Sequence, residues 1–186
     1  SESVFFRNPN SGNWGKTSAQ ALITTDPKAD NHTITIENLS VNGSFEKNAL
    51  GGKAGISLRN TKNSIIRKVT TCNTWHGVAF YDFKGKESQN WIDSVSVFNA
   101  HTFTTKNNSG RPRGILMMDS GSKISNSRSY FSGTGFYAEG STISLENNHA
   151  ENWFEDNGFY LIVDDLKVLN CSAKGGNTPE EGFGSG

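Results

Sequence analysis

The chain has 186 residues, of which 33% are apolar, and its 18 basic residues balance its 18 acidic ones. That length fits one domain able to bury a sizeable core, and the even charge argues against nucleic acid or an acidic membrane leaflet as a partner. No apolar run approaches the ~18 residues a membrane-crossing helix needs, and the N-terminus lacks the charged-then-apolar layout of a signal peptide, so membrane insertion is not expected. The chain begins at Ser1 and ends in Gly182-Phe183-Gly184-Ser185-Gly186, which reads as a processed chain or a piece of a longer one.

Residues 1–32, with their Asn-Pro-Asn-Ser-Gly-Asn run, read as an N-terminal cap or a further irregular coil. From 33 to 176 a repeat takes over. Its first strand follows a glycine in Gly55-Ile-Ser-Leu, Gly77-Val-Ala-Phe, Gly114-Ile-Leu-Met, Gly135-Phe-Tyr-Ala and Gly158-Phe-Tyr-Leu, at spacings of 22, 37, 21 and 23. A period in the twenties is the signature of a solenoid. Its second strand begins about ten residues later, as in Ile66-Val69-Thr71, Ile92-Val95-Val97, Ile124-Ser127-Ser129, Leu145-Asn148-Ala150 and Val168-Cys171-Ala173, and Ile36-Leu39-Val41 supplies an earlier rung. Residues 177–186 are left as a C-terminal tail. The expected fold is all-β, a right-handed single-stranded parallel β-helix of about six coils of roughly 21 residues each.

One column supports this register. Two residues after the first apolar position the rungs read Asn38, Lys68, Ser94, Asn126, Asn147 and Asn170. Asparagine tolerates the left-handed backbone of a tight turn, and stacked amides can bond along the solenoid axis, so an asparagine ladder is expected. The same register puts Cys72 and Cys171 four coils apart, ~19 Å at a strand spacing of ~4.8 Å, beyond the ~7 Å Cα reach of a disulfide. Both are expected to be free thiols.

The unit Gly-apolar-x-apolar, a polar turn, then Ile-x-Asn-x-x-x-x-Asn resembles the repeats of pectate-lyase-like β-helix proteins. That superfamily holds polysaccharide lyases, polygalacturonase-type hydrolases, alginate epimerases, phage tailspikes and copper-site assembly proteins. The resemblance covers residues 33 to about 176, and it points to fold more strongly than to function, because one fold hosts many chemistries.

The regularity fails in two places. Extra residues lie at Lys84 to Asn90 and again at His101 to Pro112, around the coils that start at Gly77 and Gly114. Solenoids carry function on such insertions, although a neutral surface loop or an oligomer contact is the alternative. Counting from each glycine, positions one and three point inward and positions two and four outward. Position two reads Ser57, Ala79, Leu116, Tyr137, Tyr160; position four reads Arg59, Tyr81, Met118, Glu139, Ile162.

At position five, Asp82 and Asp119 stand on neighbouring coils with backbones ~4.8 Å apart, near the ~5 Å separation of paired glycosidase carboxylates. Such a pair splits its pKa values into a general acid and a charged partner. Glu139 is the third catalytic candidate. An aspartate ending a strand equally serves to cap a turn. Substrate-binding candidates are His76, Tyr81, Arg111, Arg113, Tyr137 and Tyr160, the aromatic rings suiting the apolar faces of sugars or burial under a neighbouring subunit. The resemblance implies hydrolysis by clustered aspartates on this sheet, or lyase chemistry in which a base such as His76 removes a proton beside a carboxylate bound by Arg111 and Arg113. The four histidines lack zinc spacing, and no metal or cofactor is implied; Asp164-Asp165 offers calcium two acids with neighbouring carbonyls, as against a solvated turn.

The expected function is a polysaccharide-binding and polysaccharide-degrading domain, tailspike-like or secreted, acting outside the cell, at a cell surface or on a virion. A non-catalytic adhesion or structural module, natural as a homotrimer, is the alternative. An epimerase-like activity ranks last, since its Asp-Pro-His-type motif is missing from the sequence.

Overall fold

Short alternating runs build strands here, and single left-handed residues between them turn the chain. The computed structural model describes residues 3–6, 21–26, 28–43, 54–81, 87–100, 112–154 and 157–176. Asp82, Arg111, most of the two insertions and the 177–186 tail lie outside the described residues. Among the described residues there is no helix. Fifteen strands join in one sheet whose pairings are parallel throughout, and Asn31–His32 pairs separately with Thr61–Lys62. This is an all-β fold with the arrangement of a parallel β-solenoid.

Three ladders run along it. The first stacks Ala21–Thr24, Ala54–Arg59, His76–Tyr81, Arg113–Met118, the start of Thr134–Glu146 and the start of Phe159–Leu169. The second stacks the start of Thr35–Asn42 and of Ile65–Thr74, then Trp91–Asp93, Lys123–Ser125 and the ends of the two long strands. The third runs from Ser3–Phe6 through Ser96–Ala100, Arg128–Tyr130 and His149–Glu151 to Ser172–Lys174. Residues 3–6 and 21–24 therefore continue the parallel pairing into the region expected to be a cap or irregular coil.

The core is a stack of aliphatic and aromatic side chains from all three ladders. Ile56, Val78, Ile115 and Phe136 superimpose along the first, and Ile66, Ile92, Ile124 and Leu145 along the second. Phe136 stacks on Phe159 with centroids 4.8 Å apart, so identical positions on successive coils meet face to face. Buried polar groups at the corners are bonded rather than excluded. Asn148 accepts the Ser127 N–H at 3.0 Å and donates to the Ile124 carbonyl at 2.9 Å, replacing ladder bonds the turn interrupts.

The glycines that open each first strand do not have left-handed backbone; they are needed because the chain passes itself too closely for a side chain. A Cβ at Gly77 would lie 2.5 Å from the Gly114 carbonyl oxygen and 2.5 Å from both Val97 methyls. The expected asparagine column holds: Asn38, Lys68, Ser94, Asn126, Asn147 and Asn170 all have φ between 51 and 55°. Asn147 donates to Asn126 at 3.0 Å and Asn170 to Asn147 at 3.3 Å. Two further left-handed columns occur at the other corners. One contains Asn73, Asn99, Phe131 and Asn152, and the other Thr33, Asn63, Gln89, Thr142 and Asp165. Cys72 and Cys171 are free, as the register requires.

One expected feature differs. Position two of the first strand faces away from the main core, yet Ala79 and Leu116 are fully buried and Tyr137 is 7% exposed. They form a second apolar cluster with Tyr81 and Met118 packed against it. Alternation assigns a side chain to a face of the sheet and not to solvent.

A left-handed conformation at a β-branched residue costs about 1–3 kcal/mol, which glycine avoids. Asn147→Val is therefore expected to lower the free energy of unfolding by about that amount, and Asn147→Gly by distinctly less. Urea denaturation of both variants checks this, and equal losses would contradict the backbone assignment.

Candidate functional site

The first ladder's outward side gathers most of the expected site residues. Arg113, Tyr137 and Glu139 come from adjacent or shared strands, and Tyr160 follows on the next coil. Tyr137 and Tyr160 stack with centroids 5.4 Å apart and planes 6° from parallel. The Arg113 guanidinium lies 3.5 Å from the centre of the Tyr137 ring, a cation–π contact. The Tyr137 hydroxyl donates to Glu139 Oε2. Burial, reinforced by the Glu139 carboxylate and opposed by Arg113, pushes the Tyr137 phenol up to about 12, so it stays protonated and keeps donating. On the two coils before Arg113, Arg59 stands 5.2 Å from the Tyr81 ring centre. The Tyr81 phenol is raised by burial against the pull of Arg113 and Arg59.

His76 neighbours Arg113 in register, and its Nδ1 accepts the Arg113 backbone N–H at 3.1 Å. Burial, with the Arg113 charge adding to it, lowers the His76 pKa to about 3. The ring is therefore neutral at ordinary pH, with its proton on Nε2 because Nδ1 is the acceptor. In this arrangement neither nitrogen is a free base, and the imidazole acts as a fixed support for the Arg113 strand.

Asp119 does not join this group. The alternation that buries Ile115 and Met117 turns residue 119 to the same inner side, and Asp119 is 3% exposed. Its Oδ2 accepts the Asn90 amide at 2.8 Å. Asp119 sits in the corner behind the face, and its expected partner Asp82 lies outside the described residues. Of the two expected catalytic carboxylates among the described residues, Glu139 is the one placed among the aromatic and cationic side chains.

The residue that sequence reasoning missed is Asn90. Besides holding Asp119, it donates to the Thr61 carbonyl at 2.6 Å and accepts the Ser64 N–H at 3.1 Å, tying three coils together at one corner. It stands in register with Ser64 and Ser122, directly before the Trp91 strand. Its signal was present as a polar residue two positions before the inward Ile92, as Asn148 stands two before the inward Ala150, but it was counted with the insertion.

Among the described residues no group of three or more His, Cys, Asp or Glu side chains is placed to hold a metal. Asp164 pairs in register with Ser141, and Asp165 occupies a left-handed corner with φ 57°. Comparison with family models, with curated proteins and with solved structures finds no match to this chain.

The depressed His76 pKa has a definite sign in stability. Unfolding lets the imidazole return to about 6.5, so the unfolded chain binds the extra proton between about 6.5 and about 3. His76 thus contributes stability that is present in full above the upper value and lost as the pH falls through the window. Asn at this position can still accept the Arg113 N–H but does not titrate. Between pH ~6.5 and ~4 the wild type is expected to lose more stability than His76→Asn; parallel curves in denaturant titrations would contradict the burial of a neutral ring.

Proposed function

We propose that this chain is a right-handed parallel β-helix of about six coils, of the pectate-lyase-like type, that binds a polysaccharide along the outward side of its first ladder. The observation that carries the reading is the exposed Tyr160 ring, held in place by its stack on the buried Tyr137, with the Arg113 guanidinium and the Glu139 carboxylate beside it. Planar rings take the apolar faces of sugars, and a cation and a carboxylate beside them take ring hydroxyls or an acidic substituent. Such a surface needs little reorganisation on binding, because each ring is already held by a stack, a cation or a hydrogen bond. The role belongs outside the cell, at a cell surface or on a virion.

Cleavage of the bound chain is a second reading, favoured by the Tyr137–Glu139 hydrogen bond. A protonated phenol beside a carboxylate supplies a proton donor for the leaving glycosidic oxygen and an acceptor for the proton of an attacking water or of the C–H beside a uronate carboxylate.

The test separates the two. Affinity electrophoresis against neutral and acidic polysaccharides is expected to show retention that Tyr160→Ala weakens. If cleavage accompanies it, Glu139→Gln lowers the release of reducing ends or unsaturated products by ~100-fold or more while retention stays. Retention by no polysaccharide contradicts the binding reading, and unchanged product release by Glu139→Gln contradicts the acid–base role of that residue.

A further inference from the structure

A second groove lies around the corner from the first ladder and shares Asn90 with the site above. It has a volume of about 610 Å³ and runs across four coils, with Trp91, Lys123, Ser144 and Lys167 along one wall. The turn residues Gln89 and Asp165 form the opposite rim. Trp91 is 40% exposed, although its indole N–H is bound at 2.7 Å to Ser125 Oγ. That bond fixes the ring while leaving an apolar face uncovered in a polar surround, an amphipathic arrangement that suits a planar ligand with one apolar face.

The charges of the groove cancel. Lys123 lies 2.6 Å and Lys167 3.5 Å from the two oxygens of Glu146, and Asp165 supplies a second carboxylate. Two ammonium groups against two carboxylates leave no net field to hold a phosphate backbone, which needs uncompensated cations. What remains is an aromatic platform ringed by hydroxyl, amide, ammonium and carboxylate groups. This is the complement of a neutral polyhydroxylated ring, which presents one apolar face and an equator of hydroxyls. Along the groove the wall residues repeat at the coil spacing of ~4.8 Å, so one side chain after another meets an extended chain.

We infer that the Trp91 groove is a second saccharide subsite that takes a neutral glycosyl unit, its apolar face on Trp91 and its hydroxyls on Gln89, Lys123, Ser144 and Lys167. The inference rests on the glycan reading of the first ladder for its ligand class, and its geometry is independent of that face. The two are joined at Asn90, which lines the groove and donates to Asp119 at the end of the first ladder. A glycan turning the corner between ladders would contact both.

A printed array of neutral and acidic glycans, probed with the wild type and with Trp91→Ala, Trp91→Phe, Lys167→Ala and Tyr160→Ala, tests this. The Lys167 side chain is 62% exposed, so its removal leaves the core untouched. A neutral glycan is expected to bind the wild type, to lose about tenfold or more in affinity with Trp91→Ala, to keep most of it with Trp91→Phe, and to weaken with Lys167→Ala. Wild-type binding by both Trp91→Ala and Lys167→Ala overturns the inference, while a loss confined to Tyr160→Ala in the same set leaves the first ladder's role standing. Binding of no glycan overturns both readings. Retention of an oligo-dT strand that depends on Trp91 overturns the saccharide assignment in favour of a nucleic-acid surface.

Discussion

The close passage of the chain past itself at the corners governs everything else in this molecule. At the first-ladder corner a Cβ on Gly77 would meet a carbonyl oxygen and two methyl groups at 2.5 Å, and one on Gly114 would meet Ser129 Oγ at 2.0 Å. At the other corners the chain turns within one residue by entering the left-handed region, a conformation that costs energy for any residue with a side chain. The parallel ladders return that cost through hydrogen bonds and through the stacking of like side chains, such as Phe136 on Phe159. Because every coil is held to its neighbours in the same register, a side chain's position on a coil decides its face. The functional surfaces are columns for this reason.

The parts of the fold legible in the sequence were those where one residue type recurs in register. Glycine at the first corner and asparagine at Asn126, Asn147 and Asn170 repeat because close approach and left-handed backbone admit few alternatives. The corner that contains Asn63, Gln89, Thr142 and Asp165 has the same backbone but mixed side chains, each coil meeting the strain with a different residue. It left no pattern to count. Alternation correctly separated core positions such as Val78 and Phe80 from outward ones, but it carried no information on whether an outward column is covered. Hence Ala79 and Leu116, expected at a surface, are buried.

The candidate site was legible in the same partial way. Arg113, Tyr137, Glu139 and Tyr160 come together because their positions in the repeat put them on one side of one ladder. Asp119 was legible as a carboxylate at the end of a strand, while the parity of its position, which turns it inward to Asn90, was not weighed. Asn90 itself bridges Thr61, Ser64 and Asp119, and so links the first ladder to the groove beside Trp91. Neither the bridge nor the groove involves residues close in sequence, and only the stacking of coils brings them together.

That stacking can be measured with the two native thiols. Cys72 stands in register with Phe98, Tyr130, Glu151 and Lys174 in turn, and Cys171 lies on the same coil as Lys174. Spin labels on Cys72 and Cys171, read by pulsed dipolar spectroscopy, are predicted to give one narrow distance peak near ~20 Å, four coils at ~4.8 Å each with allowance for the label arms. A broad distribution reaching far beyond that spacing, or a disulfide forming between the two thiols, would contradict the stack and with it every surface derived from it.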